Sequence, residues 1–153
     1  MKGTDPNEGR PGYKETTLGK IAKIVSGGTP SRAKPEYWGG DVPWVKTASI
    51  NYQTILSGDE YLTQEGLKSS STRMIPKGTI LMAMYGQGKT RGQVGRLGIE
   101  AAINQACAAL LLKDGVNRDF VYCQLVFQYS NIRNLSNSGN QDNLNASLIR
   151  SIR

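Results

Sequence analysis

The sequence contains no histidine among its 153 residues. This absence excludes Ser–His and Cys–His nucleophilic pairs and removes the commonest general base and the usual zinc ligand. The two cysteines, Cys107 and Cys123, lie in apolar stretches without CxxC spacing, and we expect both to be buried free thiols. The acidic neighbours Asp59 and Glu60 have no matching basic or carboxylate signature nearby, and no nuclease or amino-methyltransferase motif is present. The sequence therefore predicts a protein without catalytic groups of its own.

Long apolar runs are also absent. The longest, residues 106–112, is far too short to span a bilayer, and the first residues lack the apolar region of a secretory signal. We therefore expect a cytoplasmic protein. Residues 1–15 are polar and rich in glycine and proline, which predicts a flexible leader or an added tail, whereas residues 16–153 have the size of one ordinary domain.

The 18 glycines and six prolines favour many short elements over a helical bundle. We predict an α+β fold: a single compact domain with a twisted, mainly antiparallel β-sheet, long loops and a few short helices. The pattern of residues 17–25 fits either a helix with one apolar face or a short turn followed by a strand. The other predicted elements are an edge strand at 42–46, a short helix near 62–67, a buried strand at 79–85, a glycine-rich loop at 86–98, a strand at 99–103, a central strand at 106–112, a helix at 119–129, a polar turn region at 134–145 and a helix at 146–152.

The chain is basic, with 19 lysines and arginines against 12 acidic residues and a net charge of +7. Such a balance is typical of proteins that bind polyanions. Between Gly66 and Ile99 there are cations but no carboxylate, and this stretch includes the glycine-rich loop. A charged run is often only a solvated face, but its overlap with this loop favours cations that face a ligand. These cations are Lys68, Arg73, Lys77, Lys89, Arg91 and Arg96.

Residues 83–90 follow a predicted strand and end in Gly-Lys-Thr, as a phosphate-binding loop does. The first position is Ala83 rather than glycine, however. Such a loop must also run into a helix, and the three glycines in residues 91–98 are incompatible with a stable helix. These two departures from the motif argue against a nucleotide-binding site.

The same loop fits an element that faces DNA. Lys89, Arg91 and Arg96 offer cations to phosphates or guanine edges. Gln87 and Gln93 can pair with adenine through two hydrogen bonds each. A flexible, solvent-facing loop with incidental charge is the alternative.

The segment 35–45 combines three aromatic residues with glycine and proline. Exposed aromatics could stack on bases, but tryptophan beside glycine and proline more often closes the edge of a core. We therefore interpret Trp38 and Trp44 as structural, and Lys46 and Thr47, just beyond them, as DNA contacts.

Two amide-rich segments have both a structural and a DNA-reading interpretation. Asn104 and Gln105 stand at a strand entrance, where buried amides usually satisfy neighbouring backbone, and we interpret them as structural. In residues 136–145, a turn with a helix cap at Asn145 is at least as good an account as amides that read bases.

Eight short segments stand in a recognisable order along the chain. They are LGKI at 18–21, SGGTPS at 26–31, YWGG at 37–40, VPWV at 42–45, PKGTIL at 76–81, GQVG at 92–95, NQACAA at 104–109 and GNQDNLN at 139–145. In this order and spacing they resemble the target recognition domains of type I restriction–modification specificity subunits. The resemblance extends over residues 16–153.

The resemblance implies a sequence-specific DNA-binding domain that reads one half of a bipartite target and is itself non-catalytic. In that family a specificity subunit carries two such domains separated by long helices, which dock methyltransferase subunits, and restriction subunits join the larger complex. S-adenosylmethionine, ATP and Mg²⁺ belong to those partners, so no cofactor or metal is expected on this chain. The family pattern continues past Arg153 into a spacer helix, so an excised fragment or a natural half-subunit is expected.

Recognition domains share scaffold segments and differ where they read DNA, so the resemblance assigns the shared segments to structure. We expect polar side chains beside them to contact DNA. The predicted contacts are Lys46, Thr47, Tyr85, Gln87, Lys89, Thr90, Arg91 and Arg96. Two alternatives stay open: a nucleotide-binding protein using the Gly-Lys-Thr loop, and a protein-interaction or decoy half-subunit that engages the methyltransferase or restriction subunits.

Overall fold

A computed structural model describes residues 12–86, 88–137 and 143–153 of the chain. The strands are β1 Ala22–Ser26, β2 Trp38–Val45, β3 Thr54–Ile55, β4 Glu60–Leu62, β5 Met74–Ile75, β6 Ile80–Ala83, β7 Val94–Leu97, β8 Ala101–Ile103 and β9 Cys107–Leu112. The α-helices are α1 Leu18–Ile21, α2 Gln64–Lys68, α3 Arg118–Phe127, α4 Tyr129–Asn137 and α5 Ala146–Arg150, and 3₁₀ turns lie at Pro35–Tyr37 and Thr47–Ser49. Across the described ranges, no helix is long and apolar enough to cross a membrane.

The strands form a five-stranded sheet in the order β1-β9-β6-β7-β3 and a four-stranded sheet in the order β4-β2-β8-β5. Only the β2–β8 and β3–β7 pairs are parallel; the other described pairings are antiparallel. The predicted fold class, an α+β domain with mainly antiparallel strands and short helices, is confirmed. The apolar run from Ala106 is confirmed as a central strand, because β9 lies between β1 and β6.

The five-stranded sheet is the middle layer. Because side chains alternate across a strand, Ile80 and Met82 of β6 face α3, α4 and α5, whereas Leu81 faces the opposite way. On the helix side the sheet packs against residues such as Leu125. On the other side it packs against the four-stranded sheet through residues such as Ile103. Both faces are therefore covered, which explains why β6 and β9 are almost wholly apolar.

Several predicted elements agree with the structure, including the strands predicted at 79–85 and 99–103 and the helix predicted at 146–152, which form as β6, β8 and α5. The segment 17–25 forms the turn-plus-strand alternative, as α1 followed by β1. The helices predicted near 62–67 and at 119–129 form as α2 and α3, each with small differences at its ends. The predicted cap is also present, because the Leu148 amide donates to Asn145 Oδ1 at 2.9 Å.

The prediction of an edge strand at 42–46 was wrong. The strand begins at Trp38 and lies inside its sheet, between β4 and β8. Proline can occupy this interior strand because the pairing with β8 begins only at Trp44, after Pro43. The missing N–H of Pro43 therefore removes no hydrogen bond to β8.

The glycine-rich segment 86–98 is not entirely a loop, because Val94–Leu97 form β7. Gly95 is a poor strand residue, but Val94 and Leu97 are fully buried and β7 pairs with both β6 and β3. The tertiary pairing thus overrides the local preference. Similarly, α4 runs through 134–137, which we predicted as part of a polar turn region, because Ile132 anchors this helix in the core. Residues 138–142 lie outside the described part of the chain.

The two cysteines differ in exposure. Cys107 is buried, as predicted, and burial raises the pKa of its thiol to about 12. Cys123 is exposed, which contradicts the prediction. On α3 the buried positions are Val121 and Leu125, one turn apart, so Cys123, midway between them, points away from the core.

Candidate nucleic-acid interface

Several loops meet at one end of the domain, around the turn 104–106 that links β8 to β9 and thereby joins the two sheets. The Asn104 amide donates to the Val45 carbonyl at 3.1 Å, and the Gly27 amide donates to the Asn104 carbonyl at 3.2 Å. The last residue of β6, Ala83, pairs with Cys107 immediately after the turn. The ends of β1, β2, β6 and β8 therefore lie together. We call this region the loop end.

The β1–β2 loop is fastened to the loop end by two tryptophans. The indole of Trp44 donates to the Gly28 carbonyl and that of Trp38 to the Ser31 carbonyl, both at 3.1 Å. The two rings pack edge to face with centroids 5.3 Å apart. Only glycine fits at Gly27, because a Cβ there would lie 1.7 Å from the Ile103 carbonyl oxygen. The structural interpretation of both tryptophans is confirmed.

The two amides of the turn play different parts. Asn104 Oδ1 accepts the Ala106 amide at 3.1 Å, which confirms its structural role. Gln105 is exposed, and its Oε1 accepts the Thr29 hydroxyl at 2.6 Å. Gln105 also borders a shallow depression together with Tyr85 and Asn145. It therefore presents an amide at the surface, beside one of the predicted contacts.

The β6–β7 loop is closed at its base by the Gly92 amide, which donates to the Ala83 carbonyl at 2.9 Å. Helix α4 holds the loop from the side. Tyr129 donates its hydroxyl to the Lys89 carbonyl at 2.5 Å, and Arg133 donates to the Arg91 carbonyl at 2.7 Å. The loop leads into β7 rather than into a helix, so it lacks the helix N-terminus that a nucleotide phosphate-binding loop requires.

The predicted DNA-contact residues of this loop differ in exposure. Tyr85 and Lys89 are exposed and Thr90 is partly exposed. Arg91 is only 7% exposed, and its Nη1 donates to the Gly86 carbonyl at 3.4 Å. Gln87 lies outside the described residues.

Arg96 is not grouped with these loop residues. It lies on β7, where its Nη1 is 2.5 Å from Asp119 Oδ1 and its guanidinium lies 4.0 Å from the centre of the Tyr122 ring. Both partners belong to α3. In this structure Arg96 therefore links the sheet to that helix.

Lys46 and Thr47 follow β2 at the loop end. The Lys46 amide donates to Asp59 Oδ2 at 2.7 Å, and its ammonium nitrogen is 3.2 Å from Glu60 Oε2. Thr47 is partly exposed and begins a 3₁₀ turn. Asp59 also accepts the Ser49 hydroxyl at 2.7 Å, so this carboxylate fixes the chain around Lys46.

Arg32, which the sequence did not single out, makes a two-pronged contact with Glu60. Its Nη1 and Nη2 donate to Oε1 and Oε2 at 2.5 and 2.8 Å. These hydrogen bonds are the main reason that the pKa of Glu60 is lowered to about 2. Glu60 therefore has basic partners in space, Arg32 and Lys46, although no basic signature lies beside it in the sequence. The partner Arg32 comes from a loop 28 residues away, a distance that local patterns do not report.

Tyr52 is a second residue that the sequence reasoning missed. It is the only described non-glycine residue with a positive φ, 55°, and its side chain is 39% exposed. Its amide donates to the Val94 carbonyl at 2.8 Å, and its ring packs edge to face on Tyr129 at 6.4 Å. The signal available in the sequence was an aromatic residue between two polar ones, Asn51 and Gln53.

This arrangement offers cations, hydroxyls, an amide and aromatic edges on ordered loops, which are the groups that bind phosphates and base edges. Within the described ranges there is no group of three or more histidine, cysteine, aspartate or glutamate residues placed to hold a metal ion.

Comparison with known proteins gives consistent results. Residues 11–153 match a family described as the type I restriction modification DNA specificity domain. The chain is 34% identical to the type I restriction enzyme MjaIX specificity subunit of Methanocaldococcus jannaschii, over 72% of this chain and 28% of that protein. It is 30% identical to the type I restriction enzyme EcoR124I/EcoR124II specificity subunit of Escherichia coli, over 69% of this chain and 27% of that protein. The chain thus spans a little over a quarter of the length of these relatives.

Solved structures share the fold. The HsdS subunit from Thermoanaerobacter tengcongensis aligns with 99% of this chain and 34% of its own, with a TM-score of 0.72 and 14% identity. The S subunit of the type I restriction–modification system from M. genitalium aligns with 91% of this chain and 33% of its own, with a TM-score of 0.63 and 20% identity. At these identities the likeness concerns the fold alone.

Proposed function

This chain belongs to the family of type I restriction modification DNA specificity domains, and we propose that it reads one half of a bipartite DNA target without catalysing a reaction. Members that are 34% and 30% identical to it are specificity subunits of type I restriction enzymes. In such a system the specificity component selects the site, and the chemistry belongs to other subunits.

The convergence of loops at the loop end carries this proposal. The segments on which the family resemblance rests, such as the glycines at 27 and 28 and the tryptophans, hold the loops in place. Polar side chains between them, such as Tyr85 and Lys89, are exposed. A fixed scaffold that carries exposed polar side chains on loops suits a domain that contacts DNA bases and phosphates.

The predicted contact residues differ in the groups of DNA that their side chains can bind. Lys46 and Lys89 suit phosphates, because a lysine carries a compact charge on a flexible stem. Thr47, Tyr85 and Thr90 suit base edges or sugar–phosphate oxygens. Gln87 suits adenine. Arg91 and Arg96 belong to the same proposed set, but a duplex would reach Arg91 only after the β6–β7 loop opens, since its side chain is buried.

We further propose that the chain acts in the cytoplasm with methyltransferase and restriction subunits. S-adenosylmethionine, ATP and Mg²⁺ would then be bound by those subunits, and this chain would hold no cofactor. A structure that concerns complex assembly and conformational transition of the type I R-M system is similar in fold to this chain, with a TM-score of 0.68 and 14% identity.

Selection of the full chain against a random DNA duplex library at about 50 mM salt tests the proposal. A short enriched sequence motif is the expected result, because one domain offers few base contacts. Flat enrichment, combined with binding to a methyltransferase subunit, would replace DNA reading with a protein-interaction role. Thermal stabilisation by ATP and Mg²⁺ would instead support the nucleotide-binding alternative.

A further inference from the structure

At the loop end, two cations converge on a single carboxylate. Arg32 contacts both oxygens of Glu60, and Lys46 contacts Oε2, which is one of the same two. The two cations are therefore close enough to touch one small anion together. Glu60 is only partly exposed, with 31% of its side chain accessible, whereas Arg32 and Lys46 are 55% and 40% accessible.

The guanidinium of Arg32 packs against two tryptophan rings. It lies 3.9 Å from the centre of the Trp38 ring and 5.3 Å from that of Trp44. The same tryptophans anchor the β1–β2 loop, as described above. Stacking and anchoring together preorganise the fork of nitrogen atoms, so that little side-chain entropy is lost when an anion is bound.

The position of Lys46 is fixed by a contact to its main chain. Asp59 accepts the Lys46 amide at 2.7 Å and the Ser49 hydroxyl at 2.7 Å. This contact sets the direction in which the lysine leaves the end of β2. The ammonium group itself keeps a flexible stem and can follow a ligand.

We propose that Arg32 and Lys46 form a binding site for one phosphate of the DNA backbone, and that Glu60 occupies this site in the free protein. A carboxylate and a phosphodiester accept the two-pronged arginine contact in the same way. On binding, the phosphate takes the place of the Glu60 carboxylate, and Glu60 turns to solvent. The free protein thereby keeps an ordered site, and the carboxylate lowers its affinity for weakly bound anions. This inference rests on the proposed function, because the phosphate is that of a duplex.

The low pKa of Glu60, about 2, means that its carboxylate is charged at every pH at which the protein would be assayed. A charged competitor is therefore always present. Its removal by substitution should increase affinity, whereas a carboxylate that only supports the fold would give no increase.

The experiment measures binding of a mixed-sequence duplex as a function of salt, because a phosphate contact does not depend on sequence. We expect Arg32→Ala and Lys46→Ala each to weaken binding, and the Arg32→Ala/Lys46→Ala double variant to lower the slope of log affinity against log salt by about 0.9 in total, the value for one phosphate. Glu60→Gln should raise affinity by about fivefold at low salt, since it removes a negative charge from the phosphate position.

Glu100→Gln is the matched control, because Glu100 is an exposed carboxylate between β7 and β8 and its substitution changes the net charge equally. We expect it to alter affinity by less than about twofold, since it lies outside this site. In an Arg32→Ala/Lys46→Ala background, Glu60→Gln should have no more effect than Glu100→Gln.

Arg32→Ala also removes a side chain that packs on two tryptophans. Near-ultraviolet circular dichroism therefore checks that each variant is folded. Arg32→Gln serves as a second variant, because it keeps part of the bulk of the arginine side chain. If the Arg32 and Lys46 variants bind the duplex as tightly as the wild type and with unchanged salt slopes, this inference alone is overturned. Equal effects of Glu60→Gln and Glu100→Gln would overturn the role of Glu60. Failure of the wild type to bind any duplex at low salt would overturn the proposed function as well.

Discussion

The indole nitrogen of Trp44 donates a hydrogen bond to the Gly28 carbonyl at 3.1 Å, from a side chain that is only 1% exposed. This bond joins the loop after β1 to the face of the four-stranded sheet. Both residues thereby place a loop whose neighbouring side chains, such as Thr29, are exposed.

We expect Gly27→Ala to lower the free energy of unfolding by about 3 kcal/mol, because its Cβ would overlap the Ile103 carbonyl oxygen and push the β1–β2 loop away. Urea unfolding measures the change. Gly88→Ala is the control, because no heavy atom lies within 4 Å of its Cβ position, and it should stay within about 0.5 kcal/mol of the wild type. Equal effects of the two substitutions would contradict the packing account.

Lys89→Ala should weaken duplex binding and reduce the salt slope by about 0.9, because Lys89 is exposed on the β6–β7 loop and is proposed to contact a phosphate. Lys113→Ala removes the same charge from an exposed lysine after the opposite end of β9, and its slope should equal that of the wild type. A slope that stays unchanged for Lys89→Ala would remove this loop from the proposed interface.

Arg96→Ala should lower the free energy of unfolding by about 1 kcal/mol, whatever its effect on DNA binding. The substitution removes an ion pair with Asp119 and the stacking of the guanidinium on Tyr122. A double-mutant cycle with Asp119→Ala should give a coupling of about 0.5 kcal/mol. Lys23→Ala, an exposed lysine on β1, is the control, and a loss as large as that of Arg96→Ala would contradict the assignment.

Glu60 should contribute to the pH dependence of stability. Its pKa in the folded chain is about 2, below the usual value of 4.5, so its contribution is present above pH 4.5 and is lost as the pH falls towards 2. We expect Glu60→Gln to flatten the stability curve in this window, by about 1 kcal/mol or less, because the pair is partly solvent-exposed. Acid titration followed by circular dichroism measures the pH dependence of stability, with Glu100→Gln for comparison. Identical curves for the wild type and Glu60→Gln would show that the ion pair does not persist in solution.

The cysteines should react differently with a thiol reagent. Cys123 is exposed and should react in the native protein, whereas Cys107 is buried, has a pKa of about 12 and should react only after unfolding. Cys123→Ser should therefore abolish native labelling and Cys107→Ser should leave it unchanged. Rapid native labelling of Cys123→Ser would mean that β9 opens readily.

Several features could be predicted from local patterns alone. The apolar runs that became β6 and β9, the amphipathic spacing around Val121 and Leu125, and the cap at Asn145 each depend on residues within one or two turns or along one strand. The ordered segments predicted the family, which the comparisons confirmed. These features are encoded locally, so the sequence by itself determined them.

Only the tertiary structure decided the features that depend on distant parts of the chain. β7 forms among glycines because β6 and β3 offer backbone partners on both sides. Arg91 is buried, although arginine is usually exposed. Arg32, Lys46 and Glu60 meet because one loop folds over two tryptophans and brings together residues up to 28 positions apart. Charge and hydrogen-bonding capacity are visible in a sequence, but which groups face each other is set by packing, and packing is not local.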